Sequence, residues 1–315
     1  MSKGNVTILG INGHIGHAAA EQFLKAGWTV TGFGRSNRHP IPGVRFVKGD
    51  AVNIADLEAA IEGADVVVQG LHLPYDKWTN GRAEAQLANV IAAMGKPGKT
   101  LLFPGTIYNY AATDREVTPS TPQHPEAPRG AIRVRLETML REAAEAGQFQ
   151  VLIVRAGDFY GPNVTGDWFE QAMMTDRAKG KIHHMGELAM RHAWAYLPDL
   201  GAAFARVAEH RANLGVFENF HFAGNFVSHA EMMAAIQKAA PVALTPRPLA
   251  WNLLKSVGLI NPMMRDIVRM RYLWTHEMEL VDPRLDALLG PDFGTPFETA
   301  VATTLVQFFP KAEAA

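Results

Sequence analysis

The sequence of 315 residues contains no cysteine. That absence excludes disulfides, a thiolate nucleophile and cysteine-ligated zinc, and it fits a reducing compartment. An excess of one charge is also missing, since 30 Lys and Arg stand against 31 Asp and Glu. Without a basic surplus there is no global electrostatic case for nucleic acid or an anionic membrane, so a small molecule is the expected partner. The chain also lacks an apolar run long enough to span a bilayer: the longest candidate, PLAWNLLKSVGLINPMM, is broken by Lys255 and prolines. The opening MSKGNVTILGINGHIG carries glycines and a histidine where a secretory leader needs apolar residues, and a cytoplasmic protein is expected.

What is present is alternation. Short apolar or β-branched runs (NVTIL, WTVTGF, VRFVKGD, ADVVVQG, KTLLFPG, FQVLIVRA) are separated by amphipathic segments near 14–26, 53–62, 82–94 and 129–146. Strands apolar on both faces, alternating with helices, predict an α/β fold: a doubly wound parallel sheet of six or seven strands. Residues 111–128 carry four prolines and no apolar period, which predicts a loop beside the carboxyl end of a strand, where ligands of such sheets bind. Beyond residue 157 the alternation loosens, with helices expected at 167–178, 198–212, 228–239 and 295–308. Residues 1–157 are therefore assigned to a Rossmann-like dinucleotide-binding domain. Residues 158–315 are assigned mainly to a smaller substrate lobe, with some elements returning to the sheet.

Gly10, Gly13 and Gly16 in LGINGHIGHAAA follow the first strand and open the first helix. Glycines there permit a tight turn and close backbone approach to a pyrophosphate, which the helix N-terminus then receives. Asn12, His14 and Ile15 complete this predicted cradle. The second strand ends in TGFGRSNRHP with no acid to accept from ribose hydroxyls. Arg35, Ser36 and Arg38 offer charge-assisted donors to a 2′-phosphate instead, so NADP is expected ahead of NAD.

The spacing Gly-x-x-Gly-x-x-Gly resembles the short-chain dehydrogenase/reductase superfamily, and later stretches resemble its extended branch, which includes the epimerases of nucleoside-diphosphate sugars. GDAVN at 49–53 is similar to the loop whose aspartate, here Asp50, meets adenine with Ala51 beside it. ADVVVQGLH resembles the fourth strand, leading through Gly70 and Leu71 to the diphosphate and ribose, and Asn89 with Val90 matches the next helix. LLFPGTIYNY resembles the strand ending Ser-Ser-x-x-Val-Tyr-Gly. VLIVRAGDFYGP resembles Leu-Arg-x-x-Asn-Val-Tyr-Gly-Pro, with Asp158 in place of asparagine, and RHAWAYLPDLGAAFARV and HFAGNFVSHAEM follow the C-terminal pattern. The resemblance implies a homodimer through the helices near 82–94 and 129–146.

It also implies a catalytic serine or threonine and a Tyr-x-x-x-Lys pair, and this sequence departs from both. Aligning Gly130 and Glu137 puts Arg129 at the tyrosine and Arg133 at the lysine, while Pro104 falls at the serine. None of the six tyrosines is followed four residues later by lysine. A guanidinium stays charged and cannot exchange a proton usefully. In this register Arg133 would bond the nicotinamide ribose, and Arg129 would clamp an anionic substrate or cofactor phosphate. The alternative is a solvated helical face with Arg133 paired to Glu137. Candidate proton donors are Thr106, Tyr108, His72, Tyr75 and Asp158. His183, His184 and His192 read as structural, and no metal site is expected. The leading expectation is an NADP-binding oxidoreductase or epimerase-like enzyme acting on a small substrate without the usual triad. Its rival is a non-catalytic sensor of nicotinamide status.

Overall fold

A computed structural model describes residues 2–74, 77–95, 97–163 and 166–309. The first half runs β1 (Asn5–Leu9), α1 (His14–Lys25), β2 (Thr29–Gly34), β3 (Arg45–Lys48), α2 (Ile54–Ile61), β4 (Val66–Gln69), α3 (Arg82–Met94) and β5 (Thr100–Thr106). After a short strand β6 (Glu116–Val117) come α4 (Pro128–Glu145), β7 (Gln150–Ala156) and β8 (Asp158–Tyr160). The second half contains β9 (Lys181–His184), β10 (Arg191–Tyr196), α5 (Leu197–His210), β11 (Phe217–His221), β12 (Asn225–Ser228), α6 (His229–Ala239) and β13 (Thr245–Pro248). It closes with α7 (Trp251–Gly258), α8 (Pro262–Arg269), α9 (Tyr272–Thr275), β14 (Glu279–Leu280), α10 (Pro283–Leu289) and α11 (Phe297–Leu305).

Seven strands form one parallel sheet in the order β11-β7-β5-β4-β1-β2-β3, the predicted doubly wound architecture. Successive side chains of a strand point to opposite faces, so apolar strands need a helical layer on each side. Val6, Ile8, Val66 and Val68 pack with Phe23 of α1 and Phe204 of α5 on one face. Leu9, Val67, Leu101 and Phe103 pack with Leu57, Leu87 and Leu136 of α2, α3 and α4 on the other. The seventh strand, β11, comes from the second half of the chain. A third core, including Tyr160, Phe169, Trp194, Met232 and Trp274, belongs largely to the C-terminal half.

Three expected helices in that half lie where predicted, as α5, α6 and α11. The one expected over 167–178 does not form continuously: it is a wide turn at Phe169–Met173 and a tight turn at Arg177–Lys179. The Met174 N–H donates to the Phe169 carbonyl five residues back (3.0 Å) and the Lys179 N–H to the Asp176 carbonyl only three back (2.8 Å), so the backbone does not keep the four-residue step of a regular helix. The structure adds α7, α8 and α10, which the apolar pattern did not reveal. Asn261 caps α8 by accepting from the N–H groups of Met263 and Met264, and Asp282 caps α10 in the same manner, each followed by proline in the first turn.

Candidate active site

The cofactor end of the cleft is built by backbone. Gly10 has φ +78°, and a Cβ there would stand 2.5 Å from the Gly70 carbonyl oxygen. A Cβ on Gly16 would run into the Gly10 carbonyl. The turn after β1 thus lies directly against the end of β4, and α1 starts flush with both, leaving its first N–H groups facing the cleft. This cradle, which side chains would fill, fits a pyrophosphate. Asn12 donates from Nδ2 to the Ser36 carbonyl (2.6 Å) and accepts at Oδ1 from the Arg38 N–H (2.9 Å), tying the turn to the segment after β2. Arg35, Ser36 and Arg38 are exposed beside it. Asp50 is exposed after β3, where its backbone N–H donates to Asp56 (2.8 Å), and the Ala51 carbonyl accepts from Asn89 (3.1 Å).

The other end is a pocket of about 120 Å³ lined by residues that include Ile15, Gly70, Leu71, His72, Pro104, Thr106, Tyr108 and Arg133. Sequence positions 15, 70–72, 104–108 and 133 therefore converge, as the register implied. The solvated-face alternative for α4 fails, because Arg129 is only 5% and Arg133 only 9% exposed. Arg133 donates to the Pro104 carbonyl and lies over the Phe103 ring, 4.7 Å from its centroid. Arg129 lies over Trp78 at 5.9 Å and approaches Asp266 of α8 at 3.8 Å. Its partners set it apart from Arg133, at the junction of α4 with the C-terminal helices.

Glu137 does not pair with Arg133 as that alternative required. It forms a bidentate pair with Arg155 of β7 (3.0 and 2.6 Å) and accepts from Asn109 and Gln123 (2.9 Å each). Burial alone would raise the Glu137 carboxyl, but the Arg155 charge outweighs it and holds the group below its usual range. Arg155 also donates to the Thr106 carbonyl (2.7 Å) and to Nε2 of His221 (3.2 Å), whose Nδ1 donates to Val117 (2.9 Å). Burial and the Arg155 charge push His221 down to about 3, so it is the neutral Nδ1–H tautomer. This network fixes the end of β5 against α4 and β7. Gly130 completes the fit, since a Cβ there would collide with the Tyr108 carbonyl.

Tyr108 sits in the tight turn Ile107–Asn109 after β5 and donates to Oδ1 of Asp158 (2.9 Å). Oδ2 of Asp158 meets Nε2 of His192 at 3.0 Å, and Nδ1 of His192 donates to the Leu273 carbonyl (2.9 Å). The His192 ring stacks on Trp274 with centroids 3.8 Å apart. His192 had no apparent role in the sequence; the strand pairing Trp194↔Asp158 places it two residues from the register partner of Asp158. Asp167, whose environment includes Asp158, is pushed up to about 7, chiefly by burial. His72 is at the pocket mouth, where desolvation and then the charges of Arg133, His14 and Arg129 push it down to about 4. Burial likewise lowers His14. Tyr75 lies outside the described residues. Trp78, Gln69 and Phe159 also line the pocket and were not anticipated. His183 pairs with Asp176 (2.9 Å) and His184 bonds the Gly186 carbonyl (2.7 Å).

The fold is shared with solved enzymes. The structure of the Bordetella bronchiseptica enzyme WbmH in complex with NAD+ matches with TM-score 0.70 and 19% identity over 98% of this chain and 99% of that one. A UDP-glucose 4-epimerase matches with TM-score 0.76 and 16% identity over 99% and 100%. MoeE5 in complex with UDP-glucuronic acid and NAD matches with TM-score 0.72 and 15% identity over 96% and 98%. No curated protein gives a significant sequence match. The model of the NAD dependent epimerase/dehydratase family matches residues 6–222, more than half the chain and all of the cleft's strands from β1 to β7. The chain therefore belongs to the NAD dependent epimerase/dehydratase family, with the Rossmann-like cofactor fold of the extended short-chain dehydrogenases/reductases.

Proposed function

We propose that this chain is an NADP-dependent oxidoreductase or epimerase-like enzyme that handles a small anionic substrate without the Ser-Tyr-Lys triad. The observation that carries this reading is the pairing of a glycine cradle at one end of the cleft with a buried guanidinium, Arg133, at the other. Arg133 would meet the ribose at the nicotinamide end, and Arg129 would draw the negative charge of the substrate toward the junction with α8. When bound, the nicotinamide takes or supplies hydride. The protein's part is to orient the substrate and to move a proton. Thr106, His72 and Tyr108 line the same pocket as Arg133, and this convergence of residues that can carry a proton favours an enzyme over a sensor. The homodimer implied by the family resemblance remains part of the proposal, to be decided by the solution mass. Among the described residues, α3 and α4 expose no large apolar side chain, so such a dimer would rest on polar contacts at these helices.

NADP preference rests on Arg35 and Arg38, exposed beside the Asn12 bridge. Calorimetric titration is expected to give tighter binding of NADP(H) than NAD(H). Arg35→Ala combined with Arg38→Ala should erase a preference of about tenfold or more, the scale of one or two charge-assisted hydrogen bonds. An unchanged preference in the double variant would remove the assignment.

A further inference from the structure

We propose that Tyr108, Asp158 and His192 form the proton relay of this site, with Tyr108 as the group that exchanges a proton with the substrate. The idea rests on the oxidoreductase reading above and deepens it. In the family register the usual tyrosine position holds Arg129, which has no proton to exchange. Tyr108 lines the pocket together with Arg133 and Thr106. Its hydroxyl points into protein, donating to Asp158 at 2.9 Å. A phenol oxygen both donates and accepts, so one oxygen can bond Asp158 and take a proton from a substrate hydroxyl.

Hydrogen-bond accounting fixes the rest of the chain. The Leu273 carbonyl can only accept, so Nδ1 of His192 carries a proton. Nε2 faces a carboxylate oxygen at 3.0 Å, and that contact also requires a proton between the two atoms. Asp158 and His192, respectively 5% and 2% exposed, thus share a proton out of water, with the ring immobilised by Trp274. His192 is a positioning residue: it holds Oδ2 so that Oδ1 stays aimed at Tyr108. In the oxidising direction the substrate O–H bond breaks and a new O–H bond forms on the Tyr108 oxygen. The tyrosine's former proton passes to Oδ1 of Asp158, which becomes a carboxylic acid; the C–H electron pair would be taken as hydride by a nicotinamide whose diphosphate is held at the Gly10–Gly16 cradle. Reduction reverses each transfer. An asparagine at 158 could bond the tyrosine but could not take its proton at neutral pH, so the aspartate is the chemically decisive exchange.

The test uses the full chain with NADP(H) and a panel of carbonyl and sugar-nucleotide compounds, including carboxylated ones. Tyr108→Phe and Asp158→Asn are each expected to lower kcat by about 100-fold or more, the usual scale of general acid–base catalysis, with the cofactor Kd within twofold. His192→Gln should lower kcat about tenfold while leaving KM within twofold. Nitrogen NMR of ring-labelled holoprotein gives a readout independent of turnover: Nε2 of His192 should show a hydrogen bond to Asp158, and Asp158→Asn should shift that nitrogen's signal. A folded Tyr108→Phe protein with kcat within threefold of wild type overturns the relay alone, as does a His192 Nε2 signal indifferent to Asp158→Asn. A wild-type protein that binds NADP(H) yet turns over none of the compounds overturns the enzyme reading and the relay with it.

Discussion

The two ends of the cleft are made of different materials. The cradle at Gly10–Gly16 depends on backbone and on the absence of side chains, while the end around Tyr108, Arg133 and Asp158 depends on buried charged groups held in pairs. A backbone cradle serves any ligand carrying a diphosphate, so it persists when the chemistry beside it changes. A buried charged site is specific to its partners, because removing one member leaves another uncompensated. In this chain the first end is shaped by glycine and the second by arginine, aspartate and histidine.

Three experiments probe that contrast. The largest effect is expected at the charged end, where Glu137→Gln would leave Arg155, which is 0% exposed, without its counter-charge. The expected loss is about 3–5 kcal/mol of folding free energy, measured by denaturant unfolding. A loss below about 1 kcal/mol would mean that the pair is not the keystone described above. At the cradle, Gly10→Ala places a Cβ against the Gly70 carbonyl in a left-handed turn, at a strain of about 1–3 kcal/mol. That strain should appear mainly as cofactor binding weakened about 10- to 100-fold, with the folded state retained; unaltered binding would show that the turn does not touch the ligand.

The smallest effect is on the pH dependence of stability. His221 and His229 are held down to about 3 and about 4, mainly by burial, so the folded state refuses protons that the unfolded chain accepts below its ordinary value near 6.5. Their contribution is complete above that pH and is lost as pH falls toward the folded values. Asp167, raised to about 7, acts in the opposite sense: its protonated form is favoured in the folded state, and its contribution is lost as pH rises. Two histidines against one aspartate leave a net loss of about 2 kcal/mol between pH 6.5 and 4.5. Denaturant midpoints across that window check the slope, and a flat profile would contradict the burial of these histidines as neutral groups.

The sheet and the cradle were legible because their signals are local: apolar runs of one strand length, and three glycines within seven residues. The order of resembling motifs led to Arg129 and Arg133, for which an exposed helical face was an equally simple reading of RGAIRVRLE; both are buried, but only Arg133 lines the pocket, and Arg129 lies toward Asp266 of α8. The relay and the charged network were not legible, because their partners are far apart in sequence. Tyr108 and Asp158 are 50 residues apart, and His221 reaches Val117 across 104. No window along the chain contains both members, and Glu137 had a nearer apparent partner in Arg133. The helices α7 and α8 are hidden for another reason: Lys255 and prolines interrupt the apolar run of PLAWNLLKSVGLINPMM, and the local signal of α8 is the Asn-Pro cap at Asn261.

Gly130 has a wider meaning. With nothing but a hydrogen between α4 and the Tyr108 carbonyl, the helix and the turn behave as key and slot, so α4 cannot slide by one residue without lifting off the sheet. The positions one before and three after this contact are consequently delivered to the same two places whatever side chains they bear. Chemistry at those places can be exchanged without renegotiating the architecture, because the backbone and not the side chains sets the four-residue spacing of Arg129 and Arg133.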